Sequence, residues 1–144
     1  MYIKLSTLLC LMLFSAASSA EPEDKWAALI EFSVGKPIYH LHNQLLHTEY
    51  FPSLPKEMLS LGSGAGNEEV ELLYRGHSVT AIDVSARSGE VLRERAIGTK
   101  GRVRFFQGTF DKAPLEGNYQ VAIAYFSLPF GDKSALPTLM SKVS

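Results

Sequence analysis

Cysteine is almost missing from this chain: Cys10 is the only one among 144 residues. A single thiol closes no intrachain disulfide and builds no multi-cysteine metal site, so the fold must rest on core packing. An excess of one charge sign is missing as well. Fourteen basic residues face fifteen acidic ones, for a net charge of -1, and no basic block breaks the balance. Nothing in that balance suggests nucleic acid as the main partner, because a phosphate-binding surface needs clustered Lys and Arg. Internal repeats and low-complexity tracts are absent, which excludes solenoids and fibrous arrays. What remains is the length of a single domain and an ordinary globular composition, 46% apolar and 20% charged.

The first twenty residues are a separate object. Lys4 gives a short positive start, Leu5 to Phe14 are mostly apolar, and Ser15 to Ala20 are small. Ser18-Ser19-Ala20 offers small side chains where a signal peptidase reads them, and Glu21-Pro22 opens a polar mature end. This is the pattern of a secretory signal over residues 1–20, too short to span a bilayer comfortably. Leu9 before Cys10 is too large for a lipoprotein box. The expectation is export, periplasmic or secreted, without stable membrane association after cleavage; a non-functional signal would leave the chain in the cytoplasm.

Residues 21–55 read as a helical segment. Pro22, Glu23 and Asp24 suit a helix start, Trp26, Leu29, Ile30 and Phe32 follow at near-helical spacing, and Gly35 stops it. A second helix is expected from Ile38 to Tyr50, with Ile38, Leu41, Leu45 and Leu46 on one face and Pro52 and Pro55 beyond it. From Lys56 to Ser144 the rhythm alternates. Strands are expected at Met58–Leu61, Ser78–Ile82, Arg102–Phe106 and Tyr119–Phe126. Helices are expected at Asn67–Arg75, at Ala86–Ile97 with Ser85 as cap and Gly89 as a weak point, and at Ala135–Val143. Strand and helix alternating at this spacing mean right-handed crossovers and a parallel sheet. The fold class is α/β, a Rossmann-like three-layer αβα sandwich with about four strands and two N-terminal helices.

The informative run is Leu59-Ser60-Leu61-Gly62-Ser63-Gly64-Ala65-Gly66, between the first strand and its helix. There the glycines let the main chain turn sharply and approach a ligand, and the helix N-terminus offers unpaired N–H groups. Asp83 stands seventeen residues after Gly66, at the end of the next strand. Adjacent strand ends bring its carboxylate beside the turn, where it can accept hydrogen bonds from two ribose hydroxyls. The spacing Gly-x-Gly-x-Gly differs from the dinucleotide fingerprint, whose third small residue would fall on Asn67. The reading is therefore a nucleoside-type cofactor other than NAD or FAD; another Rossmann-type nucleotide binder is disfavoured by the same spacing.

Met58 to Ser85, MLSLGSGAGNEEVELLYRGHSVTAIDVS, resembles motif I and the acidic second-strand end of class I S-adenosylmethionine-dependent methyltransferases. VRFFQGTF (Val103–Phe110) resembles the third-strand motif, and YQVAIAYFSLPF (Tyr119–Phe130) the fourth strand and the loop beyond. The resemblance implies S-adenosylmethionine as cofactor and methyl transfer to an unidentified small molecule. It places Gly62, Ser63, Gly64, Ala65 and Gly66 at the methionine part, and Asp83 at the ribose. Val84 would flank the adenine, Thr109 and Phe110 would close its other side, and Tyr125 and Phe126 would face the reactive methyl. Because the sulfonium already carries a good leaving group, alignment and desolvation suffice and no general base is expected.

Three positions depart from the family pattern: Ser60, Thr109 and Gln120 stand where acids are common. Each loss removes a charge-assisted contact worth about 1.5–3 kcal/mol if buried. The family's sheet also continues with three further strands, so the chain reads as truncated, with Tyr119–Phe126 as an exposed apolar edge. The alternative function is accordingly a non-catalytic remnant or binding module.

The remaining polar residues read more plainly. His40, His42, His47 and His77 lack a carboxylate or cysteine at metal-ligand spacing, so they are expected on the surface or at helix ends, and no metal is expected. Glu68, Glu69 and Glu71 look like a solvated helix start, favourable near the positive dipole end. Trp26, Phe32, Tyr39 and Tyr50 are expected to pack two amphipathic helices on the sheet rather than to cover a substrate.

Overall fold

A computed structural model describes residues 22–49, 51 and 53–143. The signal-like segment and Tyr50 lie outside the described residues. Two helices come first, α1 (Pro22–Ser33) and α2 (His40–Leu45), followed by β1 (Glu57–Leu61), α3 (Asn67–Tyr74), β2 (Ser78–Asp83), α4 (Ala86–Ala96), β3 (Val103–Gln107) and β4 (Val121–Ile123). Two 3-10 turns, Leu128–Phe130 and Lys133–Ala135, lead into α5 (Leu136–Met140). The four strands form one parallel sheet in the order β3-β2-β1-β4. Chain reversal between β3 and β4 thus carries the strand to the far side of β1, and the tips of β1 and β2 remain neighbours.

Side chains alternate across the pleat and bury on both faces, as a central parallel sheet requires. Met58, Val79, Ala81 and Ile123 share one apolar cluster with Val70, Leu72 and Leu73 of α3 and Leu92 of α4. Leu59, Leu61 and Ile82 share the other with Tyr119, Ala135 and Leu139, the last from α5. The architecture is the expected αβα sandwich. Gly89, a weak point by helix propensity, is where α4 approaches β3: a Cβ there would collide with the Phe105 ring. Close packing explains a glycine that propensity alone counts as a cost.

The N-terminal helices are fastened to the glycine turn. Ile30 of α1 packs with Ala65 and Val91. Asn67 accepts the Gly35 amide at 3.1 Å and donates to the Ser33 carbonyl at 2.9 Å, so the end of α1 is clamped to the start of α3.

Three expectations need correction. The second helix has six residues rather than thirteen, and one expected inward residue faces out: Ile38, Leu45 and Leu46 pack on the core, but Leu41 is 68% exposed and His42 is buried in its stead. His42 and Leu46 are four apart and share a helix face, so the partner surface selected that face over the one carrying Leu41. Ser85 does not cap α4. Its hydroxyl is buried without a hydrogen-bond partner, and its amide is held instead by Asp83. Finally, β4 pairs over three residues rather than eight. Gln120 donates its amide to Glu57 on one side and Tyr119 donates to Lys142 on the other, so the start of the segment is covered by the chain near Val143.

Candidate cofactor site

Asp83 and Gly64 meet at the tips of β2 and β1. The Gly64 amide donates to Asp83 Oδ2 at 2.8 Å, and the Ser85 amide donates to Oδ1 of the same carboxylate at 2.9 Å. Both oxygens thus hold main-chain donors while the residue stays only half-buried. A carboxylate has about four acceptor positions, so capacity for further donors remains.

The three glycines divide the work. Gly64 has φ +53°, and a Cβ built there meets nothing within 4 Å; this is where the turn opens. Gly62 and Gly66 also have positive φ, but a Cβ on Gly62 would strike Ser127 and one on Gly66 would strike Leu92. Those two glycines are required by packing within the chain, and the close ligand approach expected of all three belongs to Gly64. Between them, Ser63 is buried with its hydroxyl 2.9 Å from that of Ser88, and Ala65 is buried with its carbonyl accepting from Arg95 at 2.6 Å. Ser127, beyond β4, donates its hydroxyl to the Leu61 carbonyl and so ties the loop after β4 to the turn.

Val84 is exposed at the rim, with its carbonyl accepting from Gln107 Nε2 at 3.3 Å. Thr109 is exposed and Phe110 is half-buried, packed on the second-face cluster and against Gly131. Tyr125 follows β4. Its hydroxyl lies 2.7 Å from His42 Nδ1, and its ring lies 5.4 Å from that of Tyr39. Phe126, next in the chain, is 72% exposed and adopts φ +59°, a conformation that a bulky L-residue rarely takes. Trp26 meets Phe130 edge-on at 5.4 Å. Aromatic side chains therefore join both N-terminal helical elements to the loop beyond β4, beside the open turn.

Two groups of polar residues expected at the surface are internal. Glu69 is not solvated: it is 2% exposed and its Oε1 accepts the hydroxyl hydrogen of Ser60. Burial pushes its carboxyl up to about 7, with the nearby charges of Glu68 and Asp83 acting in the same direction. Glu68 is also buried, and its Oε1 accepts the Tyr39 amide at 2.9 Å. The available signal was spacing: Leu72 and Leu73 lie three and four residues after Glu69, so Glu69 shares their inward face. His42 and His77 are likewise internal. His42 is 0% exposed and held below its ordinary pKa chiefly by burial. His77 accepts the Lys56 amide at 3.2 Å and packs edge-on against Phe51.

A cavity of about 560 Å³ lies between the α1–α2 connection and α3, lined by residues such as Lys36, His40, Glu71 and Arg95. Its lining does not include Gly64 or Asp83. Among the described residues no three His, Cys, Asp or Glu side chains gather as a metal site, and no helix is long and apolar enough to cross a membrane.

Residues 58–144 match the family model of a methyltransferase domain. The chain belongs to that family. Solved structures agree on the fold of this methyltransferase domain. A candidate S-adenosyl-L-methionine-dependent methyltransferase from Methanococcus maripaludis superposes with a TM-score of 0.69 at 18% identity, covering 90% of this chain and 64% of that one. A methyltransferase from Thiobacillus denitrificans, solved with S-adenosyl-L-homocysteine, gives 0.62 at 20% identity, covering 88% and 53%. A dimethyladenosine transferase from Plasmodium falciparum gives 0.56 at 20% identity, covering 70% and 36%. The chain thus spans between about a third and two thirds of the length of these proteins. No curated protein matches it.

The residues at the turn fit a cofactor of the S-adenosylmethionine type. Open space at Gly64 admits a ligand against the main chain, and the adjacent Asp83 carboxylate is a ready acceptor for hydroxyl donors. A buried, unpartnered carboxylate oxygen on Glu69 lies behind the same turn.

Proposed function

We propose that this methyltransferase domain binds S-adenosylmethionine over the Gly62–Gly66 turn and serves methyl transfer to a small-molecule acceptor. The observation that carries the reading is the Asp83 carboxylate seated on the Gly64 amide, next to the one glycine of the turn that faces open space. When bound, the cofactor supplies a methyl group activated on a sulfonium. Asp83 takes the ribose hydroxyls, and the Gly64 main chain lets the methionine part lie close. Val84 borders the adenine, with Thr109 and Phe110 across from it. Tyr125 and Phe126 form the wall toward the acceptor, backed by His42 and Tyr39. What the chain contributes is alignment and exclusion of water, the two effects that a transfer from a good leaving group chiefly needs.

Titration calorimetry with S-adenosylmethionine and S-adenosylhomocysteine tests this. Saturable heat with a folded sample is the expected result; none at millimolar cofactor sinks the reading. A second reading, a non-catalytic module, is favoured by Ser60, Thr109 and Gln120 at positions where acids are common. Gln120 is committed to the fold, its Oε1 accepting the Glu57 amide at 2.9 Å. Binding without turnover over a panel of small nucleophiles would select the module. For location, we propose export through residues 1–20, with a mature start at Glu21; N-terminal sequencing of the expressed protein decides, and a full-length cytoplasmic product ends the proposal.

A further inference from the structure

The first turn of α3 carries a charge that the fold has isolated. Glu69 follows the glycine turn by three residues and is 2% exposed. One carboxylate oxygen is satisfied by the Ser60 hydroxyl, two residues before Gly62. The other, Oε2, is buried with no hydrogen-bond partner. Leaving a carboxylate oxygen unmatched in the interior is costly, so it calls for an explanation, and a partner from outside the chain supplies one. The partner has to be cationic or a strong donor.

The groups that act most strongly on Glu69 are acidic or neutral. Glu68 on α3 and Asp83 on β2 both act on it with negative charge. Tyr125, beyond β4, is itself pushed up to about 12, mainly by burial and further by Glu68 and Glu69. His42 on α2 is held toward its neutral form by burial. Ser60 on β1 contributes a dipole only. Among the described residues, no cation is one of the groups that act most strongly on Glu69, and its carboxyl is raised to about 7.

We propose that Glu69 is the carboxylate that receives the cationic amino-acid end of the cofactor, a charge delivered from the first turn of α3 and steered by Ser60. This rests on the cofactor reading above. Asp83 then holds one end of the ligand and Glu69 the other, on the two sides of the same turn. Ligand binding is coupled to release of a proton from Glu69, because only the ionised carboxylate attracts an ammonium.

Three ligands separate the contributions: S-adenosylmethionine, S-adenosylhomocysteine, which keeps the ammonium but lacks the sulfonium charge, and 5′-methylthioadenosine, which lacks the amino-acid end. Binding is measured by calorimetry between pH 6 and 8.5 on the full chain and on Glu69→Gln, with thermal melts to establish folding. The expected result is about a tenfold or greater loss of affinity for the first two ligands in Glu69→Gln at pH 8, the size of a lost charge-assisted bond. Methylthioadenosine binding should not change. In the unsubstituted chain, affinity for the two amino-acid ligands should fall as pH drops below about 7, with methylthioadenosine flat. Ser60→Asp added to Glu69→Gln should restore affinity and remove the dependence centred there. Equal binding of S-adenosylhomocysteine to both proteins at pH 8 overturns the proposal while leaving the cofactor reading intact. A loss confined to S-adenosylmethionine overturns it too, since the charge would then be read at sulfur. Failure of all three ligands to bind the folded, unsubstituted chain defeats the cofactor reading itself, and this proposal with it.

Discussion

Asp83 accepts the Gly64 amide at 2.8 Å with one oxygen and the Ser85 amide at 2.9 Å with the other. A single carboxylate thus fixes the glycine turn and the entry to α4 together. Both elements border the space a cofactor would use. Asp83→Ala frees two main-chain donors, each bond being worth about 1.5–3 kcal/mol. The expected outcome is a lower melting temperature and a loss of S-adenosylmethionine affinity of about tenfold to a hundredfold. Asp83→Asn keeps one acceptor oxygen, so it should fold better than Ala yet bind as poorly. Calorimetry paired with melts reads both; undiminished affinity in the two variants would remove Asp83 from the site.

Gly62 and Gly64 are two residues apart and should respond differently to the same substitution. At Gly64 an added methyl meets open space, so Gly64→Ala bears only the cost of a left-handed conformation, roughly 1–2 kcal/mol. Its methyl would stand where the ligand approaches, and affinity should drop by an order of magnitude or more. At Gly62 the methyl runs into Ser127 on the loop after β4. Gly62→Ala should therefore lose more stability than Gly64→Ala, through overpacking added to the conformational cost. Denaturant midpoints rank the two, and the reverse ranking would show that the turn does not pack as described.

Glu69 and His42 give the stability of the fold opposing pH dependences. The Glu69 carboxyl is raised from 4.5 to about 7, mainly by burial. Between those values the folded chain keeps a proton that the unfolded chain releases, so stability falls as pH rises through the window. The full effect is on the order of 3 kcal/mol. Glu69→Gln should abolish that fall and melt higher than the parent at pH 8, with little difference near pH 4. The pKa of His42 is lowered from 6.5, chiefly by burial. Its unfolded form takes up the proton first, and stability is lost as pH drops below about 6.5. Melting temperature against pH for both proteins provides the check; parallel curves would mean that Glu69 does not titrate in this range.

The His42–Tyr125 bond at 2.7 Å joins α2 to the loop beyond β4. His42 Nε2 is buried without a partner, so losing the tyrosine hydroxyl would leave the whole imidazole unsatisfied. Tyr125→Phe should cost about 1–3 kcal/mol, while keeping the ring contact with Tyr39. A His42→Phe/Tyr125→Phe double variant should recover part of that loss, because no buried ring nitrogen then remains. Additive losses in the cycle would show that the pair does not act as a unit.

The architecture was readable because its signals are local. Apolar runs of four to six residues, each closed by a glycine or an acid, mark β1 and β2, and Val70, Leu72 and Leu73 lie on one face of α3. The second helix was legible only in part: Ile38, Leu45 and Leu46 pack on the core as expected, and Leu41 does not. Ile38, Leu41 and Leu45 satisfy a helical period, but the surface that α2 meets is contributed by residues far along the chain, including Tyr125. That surface accepted His42 and left Leu41 outside.

Sequence by itself determined the alternation of strand and helix, the parallel sheet and the glycine turn facing Asp83, since each follows from residues adjacent in the chain or on neighbouring strand tips. Only the tertiary structure decided which polar groups are internal. Glu69, His42 and His77 resemble surface residues by type, and their burial depends on what β1, Phe51 and the loop after β4 bring against them. The same holds for the glycines: Gly62 and Gly66 are small because Ser127 and Leu92 press on them, and Gly64 is small with nothing pressing. A polar side chain's fate is set by the free energy of desolvation against the partners that arrive from elsewhere, and those partners are assembled only by the fold.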